Sequence, residues 1–167
     1  MQSEPLRLNL GCGTLPIEGY TNIDRTPICG GVVAGEVCPL TDYADESVDE
    51  IRASHVLEHF PSAQIAFILA DWYRALKPGG LLKLAVPDFK WIAEQYMAGA
   101  NIPLLGYVYG GQVDENDYHK TCFDREGLAD ALAQLGLVDI EMWESDLQDC
   151  AALPVSLNLM GRKPGGR

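Results

Sequence analysis

Leu6, Leu8 and Leu10 alternate with polar neighbours, the period of two expected of a strand with one buried face, and Gly11-Cys12-Gly13 stops the run. A second short run, Tyr20-Thr21-Asn22-Ile23, ends on Asp24, and Gly31-Val32-Val33-Ala34 predicts a third strand ending near Glu36. Asp49 to Ser54, through Ile51 and Ala53, predicts a fourth strand that runs into His55-Val56-Leu57-Glu58-His59. After Pro61-Ser62 the period changes. Ile65, Ile68, Leu69, Trp72, Tyr73 and Leu76 form one stripe of a helix, with Lys77 suited to its carboxyl end and Pro78-Gly79-Gly80 closing it. Leu81 to Val86 predicts a fifth strand, stopped by Pro87-Asp88.

Residues 88–98 predict a helix through Phe89, Ile92 and Tyr96; the glycine- and tyrosine-bearing stretch 98–112 reads either as a mobile lid or as a surface loop. Asp124 is placed to cap a helix carrying Leu128, Leu132 and Leu135, with Gly136 ending it. Leu137 to Trp143 and Val155 to Met160 predict two strands whose connector is too short for a crossover helix, so they are expected to lie antiparallel. The order predicts an α/β fold: a mostly parallel sheet of about seven strands with a terminal antiparallel hairpin and helices on both faces. Residues 1–167 contain no repeat or linker and are expected to form a single domain.

Composition narrows the partners. Twenty-four acids against 12 bases give a net charge of −12 with no basic run, which repels phosphate backbones and anionic bilayers. Neither nucleic acid nor membrane is therefore an expected partner. No apolar run approaches the roughly 20 residues of a membrane span, and the first residues lack the basic-then-apolar pattern of an export signal. Five scattered cysteines without a CxxC pair point to reduced thiols and a cytoplasmic location.

Two features carry chemistry. Glycine in the turn after the first strand lets a ligand lie against bare backbone. An acid at the end of the second strand, here Asp24, stands where nucleoside-binding α/β folds hold a ribose diol. The second feature, His55-Val56-Leu57-Glu58-His59, matches H-x-x-E-H, the inverted zinc-peptidase signature. That chemistry needs a continuous helix and a third ligand, whereas this segment follows a strand directly and meets Pro61. The sequence therefore favours a turn held by local hydrogen bonds, with no metal.

The motifs taken in order resemble those of class I S-adenosylmethionine-dependent methyltransferases. They are LNLGCG at 8–13, NID at 22–24, GEVCPLTDYADESVDEI at 35–51, SHVLEHF at 54–60, LKPGGLLKLAVPD at 76–88 and HKTCFDREGLADALAQLGL at 119–137. Each is weak alone; the ordered set, spanning about residues 6–162, is specific. The pattern resembles that of compact members acting on small molecules or on sugar and polysaccharide precursors. The resemblance implies a Rossmann-like fold, S-adenosylmethionine as cofactor and methyl transfer as the reaction. It would set Gly11, Cys12 and Gly13 against the methionyl part, Asp24 on the ribose with Arg25 beside it, and Glu36 and Val37 at the adenine. Ser54 and His55 would approach the sulfonium. His119, before the late helix on the acceptor side, is the candidate general base for a hydroxyl acceptor, since an imidazole titrates near neutrality.

One departure stands out. Most family members place a full helix between the glycines and the ribose acid, where this chain has only Thr14 to Tyr20, with Pro16 and Gly19 inside. A shortened connector leaves the methionyl side less enclosed. Two other readings stay open on the sequence: a cofactor-binding or partner-binding domain without catalysis, and a nicotinamide oxidoreductase. The missing third glycine counts against the latter.

Overall fold

The computed structural model describes residues 4–166. Its strands are β1 (Arg7–Leu10), β2 (Thr21–Asp24), β3 (Val32–Ala34), β4 (Val48–Ser54), β5 (Leu76–Pro87), β6 (Val138–Met142) and β7 (Ser156–Arg162). They form one sheet in the order β3-β2-β1-β4-β5-β7-β6. The first five strands run parallel, and β7 lies antiparallel to both β5 and β6. The expected mostly parallel sheet with a reversed terminal hairpin is what forms. Strand order reverses between β1 and β4, and that reversal opens a crevice beyond the carboxyl ends of the strands.

Period-two alternation decides which face is apolar. Register sets Leu8 beside Ile51 and Ile51 beside Leu82, and likewise Leu10, Ala53 and Leu84. These residues are buried with Ile65, Ile68, Leu69 and Trp72 of α1 (Ser62–Ala75) in a single core. Leu128 and Leu132, from the late helix Arg125–Leu135, complete it. Full burial of one such side chain is worth roughly 1.5–3 kcal/mol.

The opposite face is polar and buried all the same. Asn9, Asn22, Arg52 and Asn158 are each no more than 6% exposed. Arg52 pairs with Asp149 and stacks its guanidinium 5.4 Å from the centre of the Trp143 ring, so its charge is both paired and shielded. Asn158 donates to the Ala151 carbonyl at 2.8 Å, tying down a one-turn 3₁₀ helix, Cys150–Ala152, that covers this face.

Three expectations need correction. Helix α1 ends at Ala75 rather than at Lys77: Leu76 is already extended, and Pro78 keeps Lys77 out of helical backbone as well. Strand β5 accordingly starts at Leu76, paired with Val48, and its pairing resumes at Leu81 opposite Glu50. Lys77-Pro78-Gly79-Gly80 is thus a bulge inside a strand, and Lys77 bonds Asp49 at 2.6 Å instead of a helix end. Helix α2 (Phe89–Met97) forms where expected, capped by Asp88, with Ile92 buried and Phe89 and Tyr96 exposed. The stretch 98–112 contains a short helix, α3 (Leu104–Tyr109). Helix α4 (Arg125–Leu135) matches expectation: Asp124 accepts the Gly127 N–H at 2.8 Å, and Gly136 ends the helix in the left-handed conformation.

Candidate active site

Strand β1 ends in a turn that only glycine fits. Gly11 has φ +63°, and a Cβ there would stand 2.5 Å from the Val56 Cγ2. Its N–H donates to the Ile23 carbonyl at 2.8 Å, which keeps the turn against the end of β2. Gly13 has φ +52° and donates its N–H to Asp24 Oδ2 at 2.8 Å; the other oxygen, Oδ1, accepts the Thr26 N–H at 2.9 Å. Two loop amides thereby orient the carboxylate, and each of its oxygens keeps a lone pair.

The shortened connector is organised by one side chain. Asn22 Oδ1 accepts the Ile17 N–H at 2.7 Å and the Asn9 Nδ2 at 2.9 Å. Its Nδ2 donates to the carbonyls of Ile17 at 3.0 Å and Tyr20 at 3.1 Å. A buried amide with all these partners holds the connector 14–20 as a loop. Nothing in the local sequence pattern distinguishes this asparagine from an ordinary strand residue.

A cleft of about 940 Å³ opens at the carboxyl ends of β1 to β4. Of the residues expected in the site, Gly11, Gly13, Asp24, Arg25, Glu36, Val37 and His55 line it. Three do not. Cys12 is half-buried with its thiol toward the Gly13 carbonyl, and burial, together with the nearby Asp24 charge, pushes that thiol up to about 11. Ser54 Oγ is buried without a hydrogen-bond partner among the described residues. His119 is half-buried behind the wall, its ring edge-on to His59 with centroids 5.0 Å apart and its Nδ1 3.1 Å from the Tyr107 carbonyl oxygen. Burial holds that imidazole below its ordinary pKa.

The rim of the cleft was not legible beforehand. Residues 110–117 fold back on themselves through Gln112 N–H to the Asp117 carbonyl and Val113 N–H to Asp117 Oδ2, both at 3.2 Å. Arg25 joins this loop to the β3 side, bonding Glu36 at 3.0 Å and the Asn116 side chain. At the floor, His55 sits at φ +54°, a conformation costly for a residue with a Cβ. It turns the chain out of β4 into the one-turn 3₁₀ helix Leu57–His59, and its Nε2 lies 3.0 Å from Ser156 Oγ.

The donor set suits a cationic, phosphate-free nucleoside. Asp24, Glu36, Asp114 and Asp117 face the cleft against only Arg25 and Lys120. No helix starts after Gly13 to receive a pyrophosphate, as dinucleotide sites require. No helix among the described residues is long and apolar enough to cross a membrane.

Comparison with known proteins agrees with this geometry. A family model described as a methyltransferase domain matches residues 21–84, from β2 through most of β5. No curated protein matches the sequence. Among solved structures, an S-adenosylmethionine-dependent methyltransferase from Archaeoglobus fulgidus superposes with a TM-score of 0.65 at 15% identity, over 96% of this chain and 87% of that one. A possible histamine N-methyltransferase from Thermotoga maritima gives 0.66 at 16%, over 98% and 84%. The 1,6-didemethyltoxoflavin-N1-methyltransferase of Burkholderia thailandensis, solved with its acceptor and S-adenosylhomocysteine, gives 0.61 at 19%, over 96% and 72%. At such identities these likenesses speak to the fold. Residues 21–84 thus match a methyltransferase-domain model through the cofactor half of the sheet, and the chain as a whole has the fold of solved S-adenosylmethionine-dependent methyltransferases.

Proposed function

We propose that the chain, acting as one domain in the cytoplasm, methylates a small-molecule or sugar-precursor acceptor. The observation that carries the cofactor side of this reading is the Asp24 carboxylate, oriented by one main-chain amide on each oxygen. Its remaining lone pairs suit the two ribose hydroxyls, each charge-assisted bond being worth about 1.5–3 kcal/mol. Gly11, Cys12 and Gly13 would offer main chain to the methionyl carboxylate and ammonium. Glu36 and Val37 would take the edge and face of the adenine, with Arg25 held over the ribose by Glu36. Ser54 and His55, at the end of β4, come nearest the sulfonium.

Bound S-adenosylmethionine supplies a methyl carbon already activated as a sulfonium. What remains for the protein is to hold an acceptor atom in line, about 3–3.5 Å from that carbon, and to keep water out. The loop 110–117, tied to Arg25, walls one side of the cleft, which serves the second task. On the acceptor side, Asp114 and Asp117 rim the opening and the net charge is −12. Both oppose a polyanion such as RNA. The Burkholderia structure, with its bound 1,6-didemethyltoxoflavin, supports a small acceptor in a cleft of this kind. Five free cysteines fit a reducing compartment.

The experiment is a screen for S-adenosylhomocysteine release over hydroxylated and amino small molecules, nucleotide sugars and bulk tRNA. Turnover confined to the small acceptors is expected; turnover on tRNA alone would overturn the acceptor class.

A further inference from the structure

Every histidine of the chain converges on one buried carboxylate. Glu58 is 1% exposed, and neither of its oxygens has a hydrogen-bond partner among the described residues. Around it stand His55, with Nδ1 3.3 Å from Glu58 Oε1, His59 and His119. His59 Nδ1 is likewise buried and without a partner. Buried polar groups in folded proteins are nearly always hydrogen-bonded, so a carboxylate approached only by His55 and an imidazole without a partner, side by side, call for a ligand.

The chemistry of the donors says which kind. A carboxylate oxygen only accepts, and the Tyr107 carbonyl oxygen 3.1 Å from His119 Nδ1 demands the proton there, leaving the Nε2 lone pair free. That carbonyl–imidazole arrangement is the usual outer support of a metal-binding histidine. One donor atom each from Glu58, His59 and His119 lies within 4.8 Å of the others. Around an ion at ~2.0–2.2 Å from each ligand, donor atoms stand roughly 3–3.5 Å apart, so an inward shift of about an ångström completes the set.

Neighbouring contacts keep the three together. Lys120 and Thr121 N–H groups donate to the Glu58 carbonyl at 2.7 and 3.2 Å, and Thr121 Oγ1 donates to the Phe60 carbonyl at 2.7 Å. These bonds clamp the His119 segment onto the 3₁₀ turn that carries Glu58 and His59. The H-x-x-E-H motif lacks the long helix of a zinc peptidase, but the fold brings in the missing third ligand from 60 residues away.

We propose that Glu58, His59 and His119 form a three-ligand site for a divalent transition-metal ion, Zn²⁺ in the first instance, in the wall of the cleft. Two imidazoles and a carboxylate are a zinc donor set that leaves a position open. His59 lines the cleft, so an ion there can hold an acceptor oxygen and favour its deprotonation. That use of the ion rests on the methyl-transfer reading; its binding does not. In this arrangement His119 serves as a ligand in place of the general-base role the sequence suggested, and His55 orients Glu58 from outside.

The test is calorimetric titration of chelator-treated full-length protein with ZnCl₂, without any S-adenosyl compound, so that a failed cofactor assignment leaves its outcome untouched. Saturation at one equivalent is expected, with affinity falling by about 100-fold or more in both Glu58→Gln and His119→Gln. Circular dichroism of the metal-free variants establishes that they are folded; His119→Gln, at a half-buried site, covers the case in which Glu58→Gln is not. Absence of saturable binding, or undiminished binding by folded His119→Gln, overturns the proposal.

Discussion

The side-chain amide of Asn22 grips the main chain of Ile17 from both sides, accepting its N–H at 2.7 Å and donating to its carbonyl at 3.0 Å. This pair of bonds fixes a connector too short to contain a helix, and so sets where Gly13 and Asp24 meet. Asn22→Ala leaves the Ile17 N–H and the Asn9 amide without their acceptor. A loss of about 1–3 kcal/mol in urea unfolding is expected, together with weaker binding of S-adenosylhomocysteine. A variant of unchanged stability would show that the connector holds itself.

Gly11 and Gly13 share a left-handed backbone but differ in surroundings. An added Cβ at Gly13 meets nothing within 4 Å, whereas at Gly11 it strikes Val56. Gly13→Ala should cost roughly 1–2 kcal/mol, the conformational part alone. Gly11→Ala adds an overpacking cost of about 1–3 kcal/mol, which Val56→Ala in the same chain should relieve. Denaturant midpoints of the three variants and the double variant decide it.

Acid sensitivity has an assignable contribution from the bulge in β5. Lys77 bonds Asp49, which also accepts the Leu6 N–H at 2.8 Å, and the ammonium holds this carboxyl below its ordinary 3.8. A depressed folded-state pKa means the unfolded chain binds the proton more readily. The stabilisation is therefore complete above about pH 4 and is lost as pH falls through the folded value. Asp49→Asn should destabilise the protein at neutral pH and shrink its loss of stability between pH 4 and pH 2. A parallel shift of the two curves would contradict the assignment.

Thiol chemistry reports on the glycine turn. Cys12, raised to about 11 by burial and the Asp24 charge, is almost wholly protonated at pH 8, while Cys122 is exposed. Because the thiolate is the nucleophile, iodoacetamide should modify Cys122 well before Cys12. Asp24→Asn removes the larger of the charge effects and should speed the reaction at Cys12. Mass spectrometry of a time course measures both.

The parts legible in the sequence were those governed by local pattern. Alternation at Leu6, Leu8 and Leu10, the stripe from Ile65 to Trp72 and the Asp124 cap all follow from neighbours a few residues away, and the order of elements along the chain implies the class; the order of strands in the sheet is seen only in the fold. The bulge at Lys77–Gly80 was missed because Leu76 joins the sheet only through Val48, a pairing invisible in sequence. Helix α2 was legible as a helix, while which of its apolar residues packs, Ile92 rather than Phe89 or Tyr96, depends on the fold. The glycine turn and Asp24 could be picked out by their spacing. The roles of Asn22 and Glu58 could not, since each acts through partners that only the fold delivers.

Binding of S-adenosylhomocysteine, measured calorimetrically beside NADH and an Asp24→Ala variant, tests the central claim most directly. Micromolar binding to the unaltered chain, abolished or weakened by about 1.5–3 kcal/mol in Asp24→Ala and absent for NADH, is the predicted result. Folded protein that ignores S-adenosylhomocysteine, or binds it equally well without the Asp24 carboxylate, would contradict it.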